Sequence, residues 1–263
     1  MLVLMDEANL ADNPWEHLYH AYRLTWSLPN RADAFAQRTR LIRHARTLLG
    51  RPHRRHAWWV LDALDDAERK PFVALAVAAN VPRYFFAAMI RAGVREPDPA
   101  AKRQFIQPCV YSRGYRAVNA ALLPYLEHGT ADERAGTAIA LCWASIHDDY
   151  FWLTGNVIGP RQHVPTSEAQ AEYVAWAPLR ARLTALLVTV FHETANADVR
   201  RSIVTQMFLD SAQPDDVLTA LGPSALTIAR HHTNRYVRRR VAQLDHYNYS
   251  GPLFVRFSVT FGA

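Results

Sequence analysis

Apolar residues recur at helical spacing from residue 14 to residue 247, in stretches that are separated by short polar turns. The first stretch begins at Pro14 and ends at Pro29. The second runs from Asp33, which is a predicted N-cap, to Leu49, and its apolar face includes Phe35. Similar stretches follow along most of the chain. The pattern predicts an all-α protein.

One charged residue interrupts the apolar face of the second predicted helix. Arg38 falls among the apolar positions, whereas Arg40 and Arg43 fall on the opposite face. A buried arginine needs a partner, or a path along which its stem can reach solvent. We therefore expect Arg38 to make a specific contact.

Two segments depart from the helical pattern. Residues 147–165 combine glycine and proline with large aromatic residues, which predicts an irregular insertion packed against the helices. Residues 251–263 form a predicted extended tail, because Phe and Val alternate with polar residues from Leu253 to Phe261. Insertions on repeat scaffolds often lie on the functional face.

A short motif occurs twice near the C-terminal end. Residues 198–204 (DVRRSIV) and 235–241 (RYVRRRV) both place Val-Arg after a polar turn, and the two arginines are 38 residues apart. Arginine lies at the start of five predicted helices with related spacings: Arg69, Arg103, Arg134, Arg200 and Arg238. A helical unit that recurs at this period predicts helix pairs that stack on one another.

The motif at residues 198–204 resembles the opening of the second helix in HEAT repeats, and residues 130–138 are a looser copy. The resemblance covers residues 67–247 and implies a right-handed α-solenoid. We expect a single repeat domain over residues 1–250, with divergent cap helices at 1–66. In such a stack the helix-opening charges pair with the next repeat, so Asp198, Arg200 and Arg238 are interpreted as structural.

Composition narrows the class of protein without naming a function. The 263 residues carry a net charge of +6, almost wholly from arginine, because Lys70 and Lys102 are the only lysines. Cys109 and Cys142 lack the close neighbours of a zinc site and are interpreted as small buried residues. The first five residues are too short for a signal peptide, and no apolar run is long enough to span a membrane. We expect a cytoplasmic protein.

Arginine is concentrated in two stretches that supply candidate binding residues. Residues 31–56 contain eight arginines and one acid, and residues 230–240 contain five arginines and no acid. The guanidinium groups of arginines can bind phosphates, and tryptophan rings can stack on nucleic-acid bases. Solvent-exposed helix faces that cover buried tryptophans would give the same sequence pattern. The candidate binding residues are Arg40, Arg43, Arg54, Arg55, Trp58, Trp59, Trp152, Arg235 and Arg239.

Carboxylates near tryptophans are the candidate catalytic groups. Residues 58–62 (WWVLD) place Asp62 after a tryptophan pair. They resemble the aromatic and carboxylate groups of the HEAT-like alkylpurine DNA glycosylases of the AlkD type, which work in a basic concave groove. Asp148 or Asp149 with Trp143 and Trp152 forms a second candidate set.

The sequence contains no recognisable motif for other kinds of catalytic chemistry. The sequence has no nucleophile elbow, no phosphate-binding loop and no dinucleotide fingerprint. His192-Glu193 is the one His-Glu pair of the kind that helical-repeat oxygenases use in several copies to bind two irons. We therefore predict neither a metal nor a cofactor.

Two functional hypotheses remain open. The first is a non-enzymatic helical-repeat protein that binds another macromolecule, and the expected partner is a protein. It would act either as an adaptor or as an inhibitor of the immunity type. The alternative is a nucleic-acid-binding HEAT-like DNA glycosylase that acts on alkylated bases. The sequence leaves open whether the chain is an enzyme.

Overall fold

The computed structural model describes residues 13–49, 54–144, 167–210, 214–233, 237–238 and 242. All regular secondary structure in these residues is helical, which confirms the predicted all-α class. The predicted insertion at 147–165 and the predicted tail at 251–263 lie outside the described residues. None of the described helices combines the length and the apolar character needed to cross a bilayer.

Eleven α-helices and one short 3-10 helix, Thr25–Ser27, lie in the described part of the chain. The α-helices are α1 (Pro14–Leu24), α2 (Arg31–Leu49), α3 (Arg54–Asp65), α4 (Lys70–Val77), α5 (Phe86–Arg95), α6 (Arg103–His128), α7 (Ala131–Trp143), α8 (Ser167–Glu193), α9 (Ala197–Asp210), α10 (Pro214–Leu221) and α11 (Pro223–Arg230). The chain divides into two compact units, Met1–Leu183 and Thr184–Ala263.

Side-chain caps explain where several helices begin. The Asn13 side chain accepts a hydrogen bond from Trp15 N and starts α1, with Pro14 as its first residue. Thr130 and Glu133 form a capping box at the start of α7. The prediction that Asp33 caps the second helix is wrong.

The cap of α2 is Asn30 instead. Its Oδ1 accepts a hydrogen bond of 2.9 Å from Ala32 N and another of 3.4 Å from Asp33 N. Asn30 is the first residue after Pro29 whose side chain can satisfy these amide groups, so the helix begins at Arg31 and includes Asp33 in its first turn.

An aromatic cluster joins α1, α3 and α4. The Trp15 and Trp59 rings are stacked with centroids 5.7 Å apart, and Tyr22 and Phe72 approach to 5.2 Å. The buried Trp59 donates a hydrogen bond of 2.6 Å from Nε1 to Oε2 of Glu16. Such a cluster buries a large apolar area and satisfies its polar edge, so it fixes the helices around it.

Both lysines lie in one buried cluster in the middle of the first unit, which we call the lysine cluster: Lys70, Glu96 and Lys102. Lys70 Nζ lies 2.7 Å from Glu96 Oε2. Lys102 Nζ donates hydrogen bonds of 3.0 and 2.8 Å to the carbonyls of Gly93 and Val94, near the end of α5. Burial lowers the pKa of Lys102 to about 8, and the charge of Glu96 opposes part of that shift.

Helices contact their near neighbours in the chain. In the first unit the main contacts join α1 with α2 and α3, α4 with α2, α3 and α6, and α5 with α3, α6 and α7, while α6 also packs on α7. In the second unit α9 contacts α10 and α11, which also contact each other. The main contacts therefore join helices that are adjacent in the chain or separated by one helix.

Two of the repeated arginines contact the segment that precedes their helix. The Arg200 guanidinium lies 5.5 Å from the ring of Phe191, which belongs to the preceding helix. Arg238 donates to the carbonyls of His232 and Thr233, which also precede it. Most residues that follow Arg238 lie outside the described part of the chain, so the expected pairing of Arg238 with a next repeat stays a prediction.

Asp198 departs from the expected pairing. Its Oδ1 lies 2.7 Å from Arg201 Nη1, three residues further along the same helix. Residues three apart face each other on a helix, so this pair forms without a neighbouring repeat.

Candidate binding groove

Helix α2 has the least balanced charge of the described helices in the first unit. It contains five arginines and one aspartate. Within the described residues none of the five arginines forms an ion pair with a carboxylate. Elsewhere among the described residues of this unit the arginine–carboxylate pairs are Arg23–Glu68, Arg69–Asp62, Arg69–Asp66, Arg91–Asp65, Arg95–Glu133 and Arg182–Glu127.

The unpaired arginines of α2 border a groove of about 530 Å³. We call it the aromatic–arginine groove. It is lined by Tyr22, Trp26, Phe35, Arg38, Thr39, Ile42, Arg43, Arg46, Pro71, Leu75 and Gln104. Its walls come from the end of α1, the following 3-10 helix and α2, and α4 contributes apolar residues. The volume lies within the range of about 300–1,000 Å³ that is usual for ligand sites.

Trp26 is held in place although it is exposed. It lies in the 3-10 helix Thr25–Ser27, where Thr25 Oγ1 donates to the Tyr22 carbonyl at 2.7 Å and Ser27 Oγ donates to the Leu24 carbonyl at 2.8 Å. The residue is nevertheless 67% exposed. A fixed backbone therefore presents a large aromatic ring to solvent.

Phe35 also lines the groove and is 70% exposed. The sequence pattern placed it on the buried face of α2, and that prediction is wrong. Ala34, Ile42 and Ala45 make the buried face instead. The apolar arc of α2 is wider than the strip that its neighbours cover, so Phe35 projects at the edge of that strip.

Arg38 has the specific contact that its position in the apolar arc predicts. Its guanidinium carbon lies 4.3 Å from the ring centroid of Trp26. Its Nε donates a hydrogen bond of 3.2 Å to the Ala34 carbonyl. The aromatic face and the carbonyl fix the plane of the guanidinium, and its two terminal nitrogens make no hydrogen bond within the described structure.

Arg43 and Arg46 line the same groove but differ in their contacts. Arg46 Nη2 donates a hydrogen bond of 3.1 Å to the Leu75 carbonyl, in the last turn of α4, where helix carbonyls lack internal partners. Arg43 is exposed and has no partner among the described residues. Arg46 therefore stabilises the wall of the groove, whereas Arg43 is available to a ligand.

The described groups of the groove are apolar side chains, arginines and a few neutral polar side chains. The described lining contains no carboxylate, histidine or cysteine. Burial raises the pKa of the Tyr22 phenol, and the charge of Arg38 opposes part of that shift, so this hydroxyl stays protonated at neutral pH. General acid–base catalysis near neutral pH needs a group whose pKa lies close to that value. The described lining offers apolar surface and positive charge instead.

The predicted tryptophan pair is divided by the fold. Trp59 is 8% exposed and belongs to the aromatic cluster, whereas Trp58 is 72% exposed. Neither lines the groove. The carboxylate of Asp62 is mostly exposed and lies 2.9 Å from Arg69 Nη2. The structure therefore does not bring Trp59 and Asp62 together as a base-binding site.

The remaining predicted site residues have separate outcomes. Arg40 is exposed on α2 and does not line the groove, whereas Arg43 does. Arg54 and Arg55 lie in the first turn of α3, and their side chains lie outside the described part of the structure. The predicted residues outside the described ranges are Asp148, Asp149, Trp152, Arg235 and Arg239.

Sequence analysis missed four residues of the groove: Trp26, Phe35, Arg38 and Arg46. The available signal was the position of Arg38 within an apolar arc, since an arginine there implies an aromatic or polar partner nearby. Trp26 is the aromatic residue that α2 can reach just across the preceding turn. No sequence signal linked Arg46 to the Leu75 carbonyl, 29 residues away.

Comparisons with known proteins do not assign the site. No protein-family model matches the chain, and no curated protein and no solved structure shows significant similarity to it. Within the described residues no cluster of three or more potential ligand side chains could hold a metal ion. The HEAT-like and AlkD-type resemblances stay predictions, and the groove is a candidate site among the described residues.

Proposed function

We propose that this protein is a non-enzymatic binding protein that holds a segment of another protein in the aromatic–arginine groove, and that it acts as an adaptor or an inhibitor. The observation that carries the proposal is the exposure of Trp26 and Phe35 beside unpaired arginines. Tryptophan and arginine are enriched among the residues that dominate binding energy at protein interfaces. An apolar patch with a polar rim is typical of such an interface.

We further propose that the helices stack as HEAT-like repeats within each compact unit. The support is the pattern of contacts, in which helices meet those adjacent in the chain or one helix removed. Repeat proteins depend on such nearest-neighbour contacts.

A protein ligand has more support than a nucleic acid. A groove that follows a phosphate backbone needs a row of unpaired cations. Many described arginines of the first unit are instead matched with carboxylates, as in the Arg91–Asp65 and Arg95–Glu133 pairs. The positive charge that is left unmatched on α2 is local and surrounds apolar surface.

The alternative, a DNA glycosylase for alkylated bases, has weaker support. Asp62 is exposed and paired with Arg69, whereas a catalytic carboxylate of this kind lies in a pocket that receives the base. Release of alkylated bases from damaged DNA by the purified protein, with loss of release in Asp62→Asn, would favour the glycosylase over the binding protein.

The proposed function is tested by comparative capture from the native lysate. Wild type, Trp26→Ala and Trp58→Ala are used as baits after nuclease treatment, and the retained proteins are quantified by mass spectrometry. Trp58 is the control because it is as exposed as Trp26 and lies outside the groove. We expect one protein retained by wild type and Trp58→Ala and lost from Trp26→Ala. Equal recovery by all three baits would contradict the proposal.

A further inference from the structure

The charge of the groove identifies the chemistry of its ligand. Arg38, Arg43 and Arg46 all line the groove, and no carboxylate is present among the described lining residues. Like charges that are three or four residues apart on a helix destabilise it, and Arg43 and Arg46 are such a pair. A ligand with negative charge would relieve this repulsion on binding.

We propose that the groove binds an acidic segment of a partner protein, in which a carboxylate pairs with Arg38 and Arg43 and a bulky apolar side chain lies between Trp26 and Phe35. This inference rests on the proposed function and specifies its ligand. The four residues come from one continuous stretch of chain, from the turn after α1 to the middle of α2.

The contact between Arg38 and Trp26 prepares the arginine for a carboxylate. Stacking at 4.3 Å and the hydrogen bond from Nε to Ala34 orient the guanidinium before any ligand arrives. The terminal nitrogens stay available, and a guanidinium fork matches the two oxygens of a carboxylate. Because the side chain is already ordered, less conformational entropy is lost when the ligand binds.

The apolar part of the groove accounts for the second half of the ligand. Ile42, Pro71 and Leu75 line it together with the exposed rings of Trp26 and Phe35. A leucine, phenylalanine or tryptophan side chain placed there would remove apolar surface of both partners from water. Segments that combine acids with large apolar residues therefore fit the groove at both ends.

The same contacts disfavour a single-stranded nucleic acid. Bases bind such proteins by stacking on open aromatic faces, and the Arg38 guanidinium covers one face of Trp26. The apolar lining offers polar base edges few hydrogen-bond partners. A carboxylate next to an aliphatic or aromatic side chain satisfies both parts of the groove.

The test is a selection of short random peptides displayed on phage against the wild-type protein, followed by fluorescence polarisation with the enriched peptides. We expect enriched peptides to place Asp or Glu beside a large apolar residue. Trp26→Ala and Arg43→Ala should each weaken their binding by about tenfold or more. Phe35→Ala, a second exposed position, should behave like Trp26→Ala. Circular dichroism would verify that each variant is folded.

Two matched controls locate the effect in the groove. Trp58 is an exposed tryptophan and Arg83 is an exposed arginine, and neither lines the groove. Trp58→Ala and Arg83→Ala should bind the enriched peptides within about twofold of wild type, since exposed residues outside an interface are close to neutral.

The contrary outcomes separate the inference from the proposed function. Groove-dependent peptides without acidic residues would overturn the acidic ligand and leave the protein-binding groove intact. Failure to enrich any peptide, or peptides that bind every variant equally, would overturn both. Two further results would also overturn the inference. One is groove-dependent binding of a uridine homopolymer with higher affinity than any peptide. The other is a wild-type dimer that Trp26→Ala converts to a monomer.

Discussion

The positive charges of the lysine cluster and of helix α2 differ in their burial and in their partners. Lys102 is buried and Lys70 is 11% exposed, and each is bound by groups of the fold: Lys70 by Glu96, and Lys102 by two backbone carbonyls. The five arginines of α2 form no ion pair with a described carboxylate. Three of them line the groove, which also contains exposed aromatic rings. Buried charge without partners destabilises a fold strongly, whereas exposed charge without partners costs little and stays available to a ligand.

Tryptophans in the same unit show the same division. Trp59 is buried, stacked on Trp15 and hydrogen-bonded through its indole N–H to Glu16. Trp26 is exposed, although hydrogen bonds fix the turn that contains it. The difference separates residues that stabilise the helices from residues that the helices present to a partner. Substitutions in the two groups should therefore act on different measured quantities.

The largest contrast is expected between the two tryptophans. Trp59→Ala should lower the free energy of unfolding by about 4 kcal/mol, because it removes a buried aromatic side chain and leaves a cavity. Trp26→Ala should lower it by less than about 1 kcal/mol, since it removes one exposed cation–π contact. Urea denaturation of both variants measures the difference. Equal losses would show that Trp26 belongs to the core.

The next contrast compares two carboxylates. Glu96→Gln should lower the free energy of unfolding by about 3 kcal/mol, because it leaves the largely buried Lys70 without a counter-charge. Asp65→Asn breaks the more exposed pair with Arg91, and the expected loss is below about 1 kcal/mol. Thermal and urea unfolding of the two variants test this order. A larger loss in Asp65→Asn would contradict the role given to the lysine cluster.

A smaller effect is expected from the titration of Lys102. Its pKa is about 8 in the folded chain and 10.5 in the unfolded chain, so the unfolded state binds more protons between these values. Stability from this group therefore rises with pH in that window, by about 1 kcal/mol from about pH 8 to about pH 9. Measurement of the free energy of unfolding at both values should show this gain for wild type relative to Lys102→Met.

The comparison with Lys102→Met cancels an opposing group. Burial raises the pKa of the Cys109 thiol to about 12, so this thiol makes the fold less stable as pH rises above its unfolded value. Cys109 is present in both proteins, and the difference between them isolates the lysine. A parallel pH dependence in wild type and Lys102→Met would contradict the lowered pKa of Lys102.

The smallest effect on stability is expected at Arg43. Because this arginine has no partner within the described residues and lies near Arg46, Arg43→Ala should change the free energy of unfolding by less than about 0.5 kcal/mol. Urea denaturation measures it. A loss above about 2 kcal/mol would show that Arg43 stabilises the fold and is not reserved for a ligand.

Local features of this fold were predictable where the responsible residues are close in sequence. Thr130 and Glu133 lie three residues apart and form a capping box, a pairing that is readable from local sequence. The predicted start of α2 was wrong by a few residues because Asn30 and Asp33 are both good caps and lie in the same turn. The helical period alone also predicted that Arg38 needs a partner, because it places this arginine among apolar residues.

Features that depend on distant residues were not predictable. Lys70 and Glu96 are 26 positions apart, and no local pattern announces their pairing. Adjacent tryptophans in the sequence point to different environments, because residues that are neighbours along a helix lie about 100° apart around it. The candidate site was predicted only in part for the same reason: Arg43 was named, but the rings of Trp26 and Phe35 were not.

The most direct test of the central claim is a charge exchange between the groove and its ligand. The affinity of an enriched acidic peptide is measured for wild type and Arg43→Glu, and again after one acidic residue of the peptide is replaced by lysine. We expect Arg43→Glu to weaken the binding of the acidic peptide by more than about tenfold. The lysine-substituted peptide should bind Arg43→Glu more tightly than the acidic peptide does, and should bind wild type less tightly. Weakening without recovery at any acidic position, or no weakening at all, would contradict a groove built to hold an acidic segment.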